Sequence, residues 1–163
     1  MHIYVKKNNI IIDNYKAKCA IGKRGISNYK IEGDLKTPKG SFKLECVYFR
    51  KDRINNIKTV LKKRIIKRNM GWCNDSRSTK YNQLVTLPTK FSAENLYMKR
   101  NIYNIIVVIS YNRKKIQKNK GSAIFLHLAD KKLSPTEGCV AVKKLTMLKI
   151  LKLVNKNSKI IIN

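Results

Sequence analysis

The sequence predicts a single, mainly β domain with one packed helix near its C-terminal end. Three observations carry that expectation. Short β-branched runs recur between polar, turn-forming stretches, the densest being Tyr103 to Tyr111 (YNIIVVISY). Only one segment, residues 143–154 (KKLTMLKILKLV), spaces its apolar residues as a helix does. The 163 residues hold no linker, repeat or low-complexity tract, so 1–163 reads as one domain, long enough for a core of its own.

In chain order, His2 to Val5 and Ile10 to Ile12 flank Lys6-Lys7-Asn8-Asn9, which suits an opening hairpin. A third strand includes Ala17, Cys19 and Ile21. Gly22, Gly25 and Gly33 punctuate a polar loop that ends in a Thr37-Pro38-Lys39-Gly40 turn, where proline presets one angle and glycine permits the next. Phe42 to Arg50 alternates as a strand with both faces partly apolar, and residues 58–68, rich in Thr, Val and Ile, read as a strand rather than a short helix.

Gly71 to Leu87 has a loop-like composition. Within it Trp72 and Tyr81 either wall a peptide groove or anchor the loop in the core, and Asp75 is placed to meet a substrate amine. A helical turn capped by Ser92 is expected over 92–96. Tyr103 to Tyr111 is the central strand, buried on both faces, and Ala123 to His127 lies beside it, bringing Tyr111 and Asn112 toward His127. In the helix, Leu145, Leu148 and Leu151 form the buried face, widened by Met147 and Val154, and its positive end is expected close behind Cys139. Ser158 to Ile162 closes the sheet.

The formal charge of +28 raises nucleic-acid binding as a function, since basic residues neutralise phosphates. Only eight of the 37 basic residues are arginine, however, and they are scattered, so no specific nucleic-acid site is expected beyond salt-sensitive adhesion to polyanions. The cluster Lys62, Lys63, Arg64, Lys67 and Arg68 is interrupted by Ile65 and Ile66 and reads as a solvated face. Cys19, Cys46, Cys73 and Cys139 form no Cys-x-x-Cys pair, so no metal site is expected. Residues 1–20 show no signal-peptide core and no run reaches the roughly eighteen apolar residues of a membrane span. The expectation is a cytoplasmic monomer with reduced thiols, or a protein of the cell envelope if a leader has been removed.

Residues 121–142, GSAIFLHLADKKLSPTEGCVAV, concentrate the chemistry. His127 ends an apolar run, a turn-forming segment follows, and Gly138-Cys139 opens a second apolar run. A thiol attacks only as thiolate, and an imidazole in reach supplies the missing basicity. Glycine beside the thiol lets a carbonyl approach the main chain, whose amides are candidate oxyanion donors. The same residue types also fit a buried cysteine and a satisfied strand-end histidine.

The motif resembles that of the YkuD-like L,D-transpeptidase catalytic domains, in which a histidine precedes Ser/Thr-x-Gly-Cys and an apolar residue, here Thr136, Glu137, Gly138, Cys139 and Val140. A Thr-Pro-x-Gly-x-Phe loop of that family is matched by Thr37, Pro38, Gly40 and Phe42, and the likeness extends through Gly71, Trp72, Cys73, Tyr81 and Asn82. The resemblance implies a β-sandwich or barrel-like fold with the helix after the catalytic cysteine, and a cysteine acyltransferase acting on peptidoglycan or muropeptide stem peptides, with no metal or organic cofactor. Cys139 is then nucleophile, His127 base and Gly138 part of the oxyanion site; Thr136, Glu137, Trp72, Tyr81, Asn82, Tyr111 and Asn112 are the candidate substrate contacts.

Two departures matter. Many family members carry His where Glu137 stands and Arg where Ala141 stands, and only twelve positions separate His127 from Cys139. A carboxylate beside a thiol disfavours thiolate, so Glu137 is expected to face a lysine or the substrate amine. The alternatives to transpeptidation are a cytoplasmic L,D-carboxypeptidase, with water as acceptor, and a non-enzymatic basic protein that binds nucleic acid or wall polymer.

Overall fold

The computed structural model describes all 163 residues. Fourteen strands and one α-helix follow in order: β1 Ile3–Lys6, β2 Asn9–Ile12, β3 Tyr15–Ala20, β4 Ile26–Ser27, β5 Thr37–Pro38, β6 Gly40–Phe49, β7 Lys62–Ile65, β8 Met70–Cys73, β9 Leu84–Thr86, β10 Ala93–Asn95, β11 Ile105–Ile109, β12 Phe125–Leu128, β13 Val140–Val142, α1 Lys144–Leu153 and β14 Lys159–Ile162. Nine of the strands form one sheet, in the order β11-β12-β13-β3-β2-β1-β14-β6-β7. An additional β11–β6 pairing joins the sheet back on itself. The closure is made by β6, whose ten residues pair with β14 through Gly40–Lys43 and with β11 through Leu44–Phe49. The chain is therefore a mainly β, barrel-like sandwich with one helix near its C-terminus.

Alternation along β11 and β12 divides the core in two. Ile105, Val107, Ile109, Leu126 and Leu128 point to a cluster of 24 buried apolar residues inside the closed sheet. Ile106, Val108 and Phe125 point outward into a smaller cluster of ten with Trp72, Tyr103 and Cys139. Burial on both faces explains why this stretch reads as continuous β-branched sequence. α1 covers the inner cluster with Met147, Ile150 and Leu151, each fully buried.

The outer cluster is roofed by a second sheet, in the order β10-β8-β9. Trp72 on β8 is 2% exposed and meets Phe125 edge-on at a centroid distance of 5.0 Å. Glu94 lies directly opposite Trp72 in the β10–β8 pair, so both side chains point down toward β11 and β12.

Several elements differ from the sequence reading. The stretch read as a loop from Gly71 carries β8 and β9, and the turn expected over 92–96 is β10, because pairing to β8 outweighs the local helical preference of Ala-Glu. Thr37-Pro38 is not a turn but an extended pair held beside Ile26–Ser27. In α1, Leu145 is 81% exposed, and the buried face turns instead on Thr146, Met147, Ile150 and Leu151. The basic segment is strand β7, exposed at all four residues, which suits an edge strand whose charges discourage further pairing. All four cysteines are unpaired thiols, and no helix is long and apolar enough to cross a membrane.

Candidate active site

β12 and β13 are parallel, with Leu126 opposite Val140 and His127 opposite Ala141. Cys139, one residue before β13, therefore lies beside Phe125, and strand alternation puts it on the same face as His127. The two are diagonal neighbours, roughly 7–8 Å apart at Cα, close enough for a rotated thiol to turn toward the imidazole. Both line one cavity of about 500 Å³ that also takes in Lys30, Glu32, Glu94 and Arg100.

The turn before the thiol is tightly pinned. Thr136 Oγ1 donates to the Cys139 carbonyl at 2.6 Å and accepts from the Gly138 amide at 3.2 Å. Thr37 Oγ1 donates to the same carbonyl at 3.4 Å and accepts from the Gly22 amide at 2.8 Å. The backbone of Thr136 is in turn paired to Ile21 and Lys23. Gly138 has φ +147°, and a Cβ there would sit 3.0 Å from both the Ile124 side chain and the Lys36 carbonyl, so no other residue fits without displacement. The Cys139 amide makes no hydrogen bond within the protein, which leaves it as the free donor next to the sulfur.

The thiol rests away from the imidazole. Cys139 Sγ donates to the Ala123 carbonyl at 3.1 Å and accepts from the Phe125 amide at 3.3 Å. Burial pushes its pKa well above the usual thiol range, Glu94 and Glu137 push further, and the Phe125 amide and Lys30 oppose them. His127 Nδ1–H donates to the Leu128 carbonyl at 2.8 Å, so Nε2 carries the lone pair. Burial lowers the imidazole to about 4; the Leu128 and Ile102 carbonyls counter this in part, and Arg100 adds to it. At neutral pH the pair is thus uncharged on both sides.

Sequence reasoning missed the acid beneath the thiol. Tyr103 stands edge-on to the His127 ring at 5.3 Å and donates its hydroxyl to Glu94 at 2.5 Å. Burial raises the Glu94 pKa, Glu137 and Glu32 add to the rise, and the Tyr103 hydrogen bond counters it. Four of the chain's nine carboxylates, Glu32, Glu94, Asp130 and Glu137, line this one cavity of a strongly cationic protein. That scarcity was the available signal: acids this rare in so basic a chain are worth locating.

The other predicted contacts sit elsewhere. Trp72 packs between Phe125 and the Arg113 guanidinium, which lies 4.9 Å from its ring, and does not line the cavity. Tyr81, 1% exposed, donates to Glu32 and accepts from the Gly121 amide at 3.0 Å. Asn82 Oδ1 accepts from Trp72 Nε1 at 2.9 Å and from the Ala123 amide at 3.1 Å, so it acts at one remove, by holding the segment whose carbonyl takes the thiol. Because β11 and β12 are antiparallel, His127 faces Ile106, and Tyr111 and Asn112 leave from the opposite end. There Asn112 bonds the Gln117 and Gly121 carbonyls, each at 2.9 Å, and Tyr111 meets Phe42 edge-on. Asp75 is paired with Arg77 at 2.7 Å, away from the cavity. Glu137 is exposed at the cavity rim and pairs with no lysine. The N-terminus of α1 is separated from Cys139 by the whole of β13, on the order of 10 Å of extended chain, too far for its dipole to favour a thiolate.

A search of curated proteins finds no match to this chain. The family model of YkuD, the L,D-transpeptidase catalytic domain, matches residues 1–162. With closed sheet, thiol and imidazole all inside that span, the chain belongs to the YkuD family of L,D-transpeptidase catalytic domains, whose cysteine-dependent chemistry acts on peptidoglycan stem peptides.

Proposed function

We propose that this protein is an L,D-transpeptidase in which Cys139 is the nucleophile and His127 the general base. The observation that carries the reading is that the imidazole on β12 and the sulfur at the entry to the parallel β13 line the same cavity. Both are neutral at rest, so the reaction begins with rotation of the thiol from the Ala123 carbonyl toward Nε2. Nε2 takes the proton as sulfur attacks the carbonyl of the L-configured centre of the stem diamino acid. The Cys139 amide, with the weakly held Gly138 amide, bonds the developing oxyanion; one such donor contributes about 3 kcal/mol. The C–N bond breaks, the His127 proton passes to the departing D-alanine amine, and a thioester remains.

An amine, having left its ammonium proton on a cavity carboxylate, then attacks the thioester; the proton it loses on forming the amide passes through His127 to the departing sulfur, which is released as the thiol. The carboxylates that line the cavity favour a cationic amine arriving there over water, and Glu137, free at the rim, is placed to meet it. Thr136 positions the turn rather than the substrate, through its bond to the Cys139 carbonyl. Incubation with a disaccharide tetrapeptide and an added D-amino acid, followed by mass analysis, tests the reading. Exchanged or cross-linked product is the expected outcome; tripeptide alone means that the protein is an L,D-carboxypeptidase. Formation of neither, with Cys139→Ala behaving as wild type, removes the enzyme reading and leaves a basic binding protein.

A further inference from the structure

Two cationic side chains line the cavity, and they are in different states. Lys30 is buried and committed: its Nζ lies 2.6 Å from Asp34 Oδ1 and 2.8 Å from the Ile31 carbonyl. Arg100 is exposed at the rim and has neither an ion-pair partner nor a side-chain hydrogen bond. Asp130, on the same wall, accepts from the Ser134 amide at 2.9 Å and feels the Arg100 charge, but the two form no ion pair. Arg100 follows β10 and immediately precedes the Asn101–Tyr103 turn, which carries Tyr103 against His127. Its positive charge adds to the burial that keeps the imidazole neutral.

The chemistry assigns a direction to that wall. The imidazole that accepts the thiol proton also delivers it to the departing amine, so the residue beyond the scissile bond lies over His127. In an amino-acid leaving group the carboxylate is attached to the carbon that bears this amine, which puts an anion within a few ångströms of the imidazole. Position 141, opposite His127 in the strand register, is alanine and brings no charge to meet it.

On the acyl-transfer reading above, we infer that Arg100 is a specificity-determining residue that holds the α-carboxylate of the leaving residue, so that the preferred donors end in a free acid one residue past the attacked carbonyl. A guanidinium matches a carboxylate with two parallel hydrogen bonds, and an unpaired, solvated one gives up little on binding. The neighbouring carboxylates sharpen the choice, because a donor acid seated anywhere else in the cavity meets Glu32, Glu94 or Glu137.

The test compares two synthetic donors, a stem tetrapeptide with a free C-terminal acid and the same peptide as its C-terminal carboxamide, on wild type, Arg100→Ala and Arg100→Lys. Release of D-alanine or D-alaninamide is followed by mass analysis. Wild type is expected to favour the acid by roughly 10- to 100-fold in kcat/KM, the range of a charge-assisted pair. In Arg100→Ala that ratio falls toward one, through a raised KM for the acid, and Arg100→Lys restores part of it. Equal turnover of the two donors by wild type, or an unchanged ratio in Arg100→Ala, overturns the assignment of Arg100 alone. Absence of turnover of either donor by wild type overturns the acyl-transfer reading, and this inference with it.

Discussion

The two faces of β11 and β12 have opposite characters. The inner cluster is almost wholly aliphatic, with Ile3, Val5, Val107, Leu126 and Val142 all at 0% exposure and the Cys19 thiol its one titratable group. The outer one is smaller and aromatic, and it surrounds groups that a core normally avoids: the Cys139 thiol, the His127 imidazole and the Tyr103–Glu94 pair. One face supplies stability, since dense aliphatic packing needs no polar partner. The other tolerates costly burial of several titratable groups together, and perturbed groups gathered in a cavity are where we propose the chemistry to lie. Substitutions on the two faces should therefore separate activity from stability.

The largest expected effect is on activity. Cys139→Ala removes the nucleophile and should lower acyl transfer by about 10⁴-fold or more while the protein stays folded. Steady-state turnover and a melting curve on the same sample check both halves of that statement. Retained turnover means that the outer face is not the reaction site.

Next in size is a pure stability effect from the inner face. Leu126 is 0% exposed in the large cluster, so Leu126→Ala should cost about 3–4 kcal/mol through lost burial and a residual cavity. In a chain of this length that corresponds to a Tm lowered by roughly 10 °C. Thiol chemistry in the protein that remains folded should persist. If Leu126→Ala abolishes turnover at temperatures well below its melting point, the division into two independent faces fails.

A third effect crosses the division. Burial holds the His127 imidazole at about 4, against 6.5 for the unperturbed group, so the native state stays neutral while the unfolded chain takes up a proton. The depressed group contributes stability that is fully present above pH 6.5 and is lost as pH falls toward 4, on the order of 3 kcal/mol in total. Denaturant midpoints measured between those limits should fall with acid in wild type, and the slope should flatten in His127→Gln. An unchanged slope would mean that the imidazole is open to water.

The same contrast explains what was legible from sequence. The inner face announces itself by alternation and by β-branched runs: the opening hairpin, the long β6, the β11–β12 pair and β14 all follow from residue type. The thiol, the histidine and the pinned Thr136-Gly138 turn were legible as a motif. The outer layer was not, because β8, β9 and β10 are only three or four residues long and owe their structure to pairing partners distant in sequence. Glu94 in particular hides in a segment with local helical preference. Its role depends on Trp72 across the strand pair and on Tyr103 beneath it, which no local pattern reports. Leu145 misled in the other direction: helical spacing named a face, but the short β13 leaves α1 rotated so that Met147 and Ile150 turn inward.

The smallest expected effect probes why the outer face holds an acid at all. Glu94 is the first charged group, after burial itself, that keeps the Cys139 proton in place. Glu94→Gln keeps an oxygen to accept from the Tyr103 hydroxyl but removes the charge, so the thiol pKa should fall. Alkylation of Cys139 by iodoacetamide should then speed up several-fold at fixed pH, with its rate profile moved to lower pH. Peptide-resolved mass analysis separates this thiol from Cys19, which burial holds at about 12 and which serves as the internal control. A carboxylate that suppresses the thiolate at rest has a purpose if an incoming ammonium neutralises it, because the nucleophile is then released only when a substrate amine is present. On that account Glu94→Gln gains resting thiol reactivity and loses the acceleration of alkylation that a diamino acid ligand produces in wild type. An unaltered alkylation profile would mean that the Glu94 charge does not reach the sulfur, and the outer acid would then be only a hydrogen-bond acceptor for Tyr103.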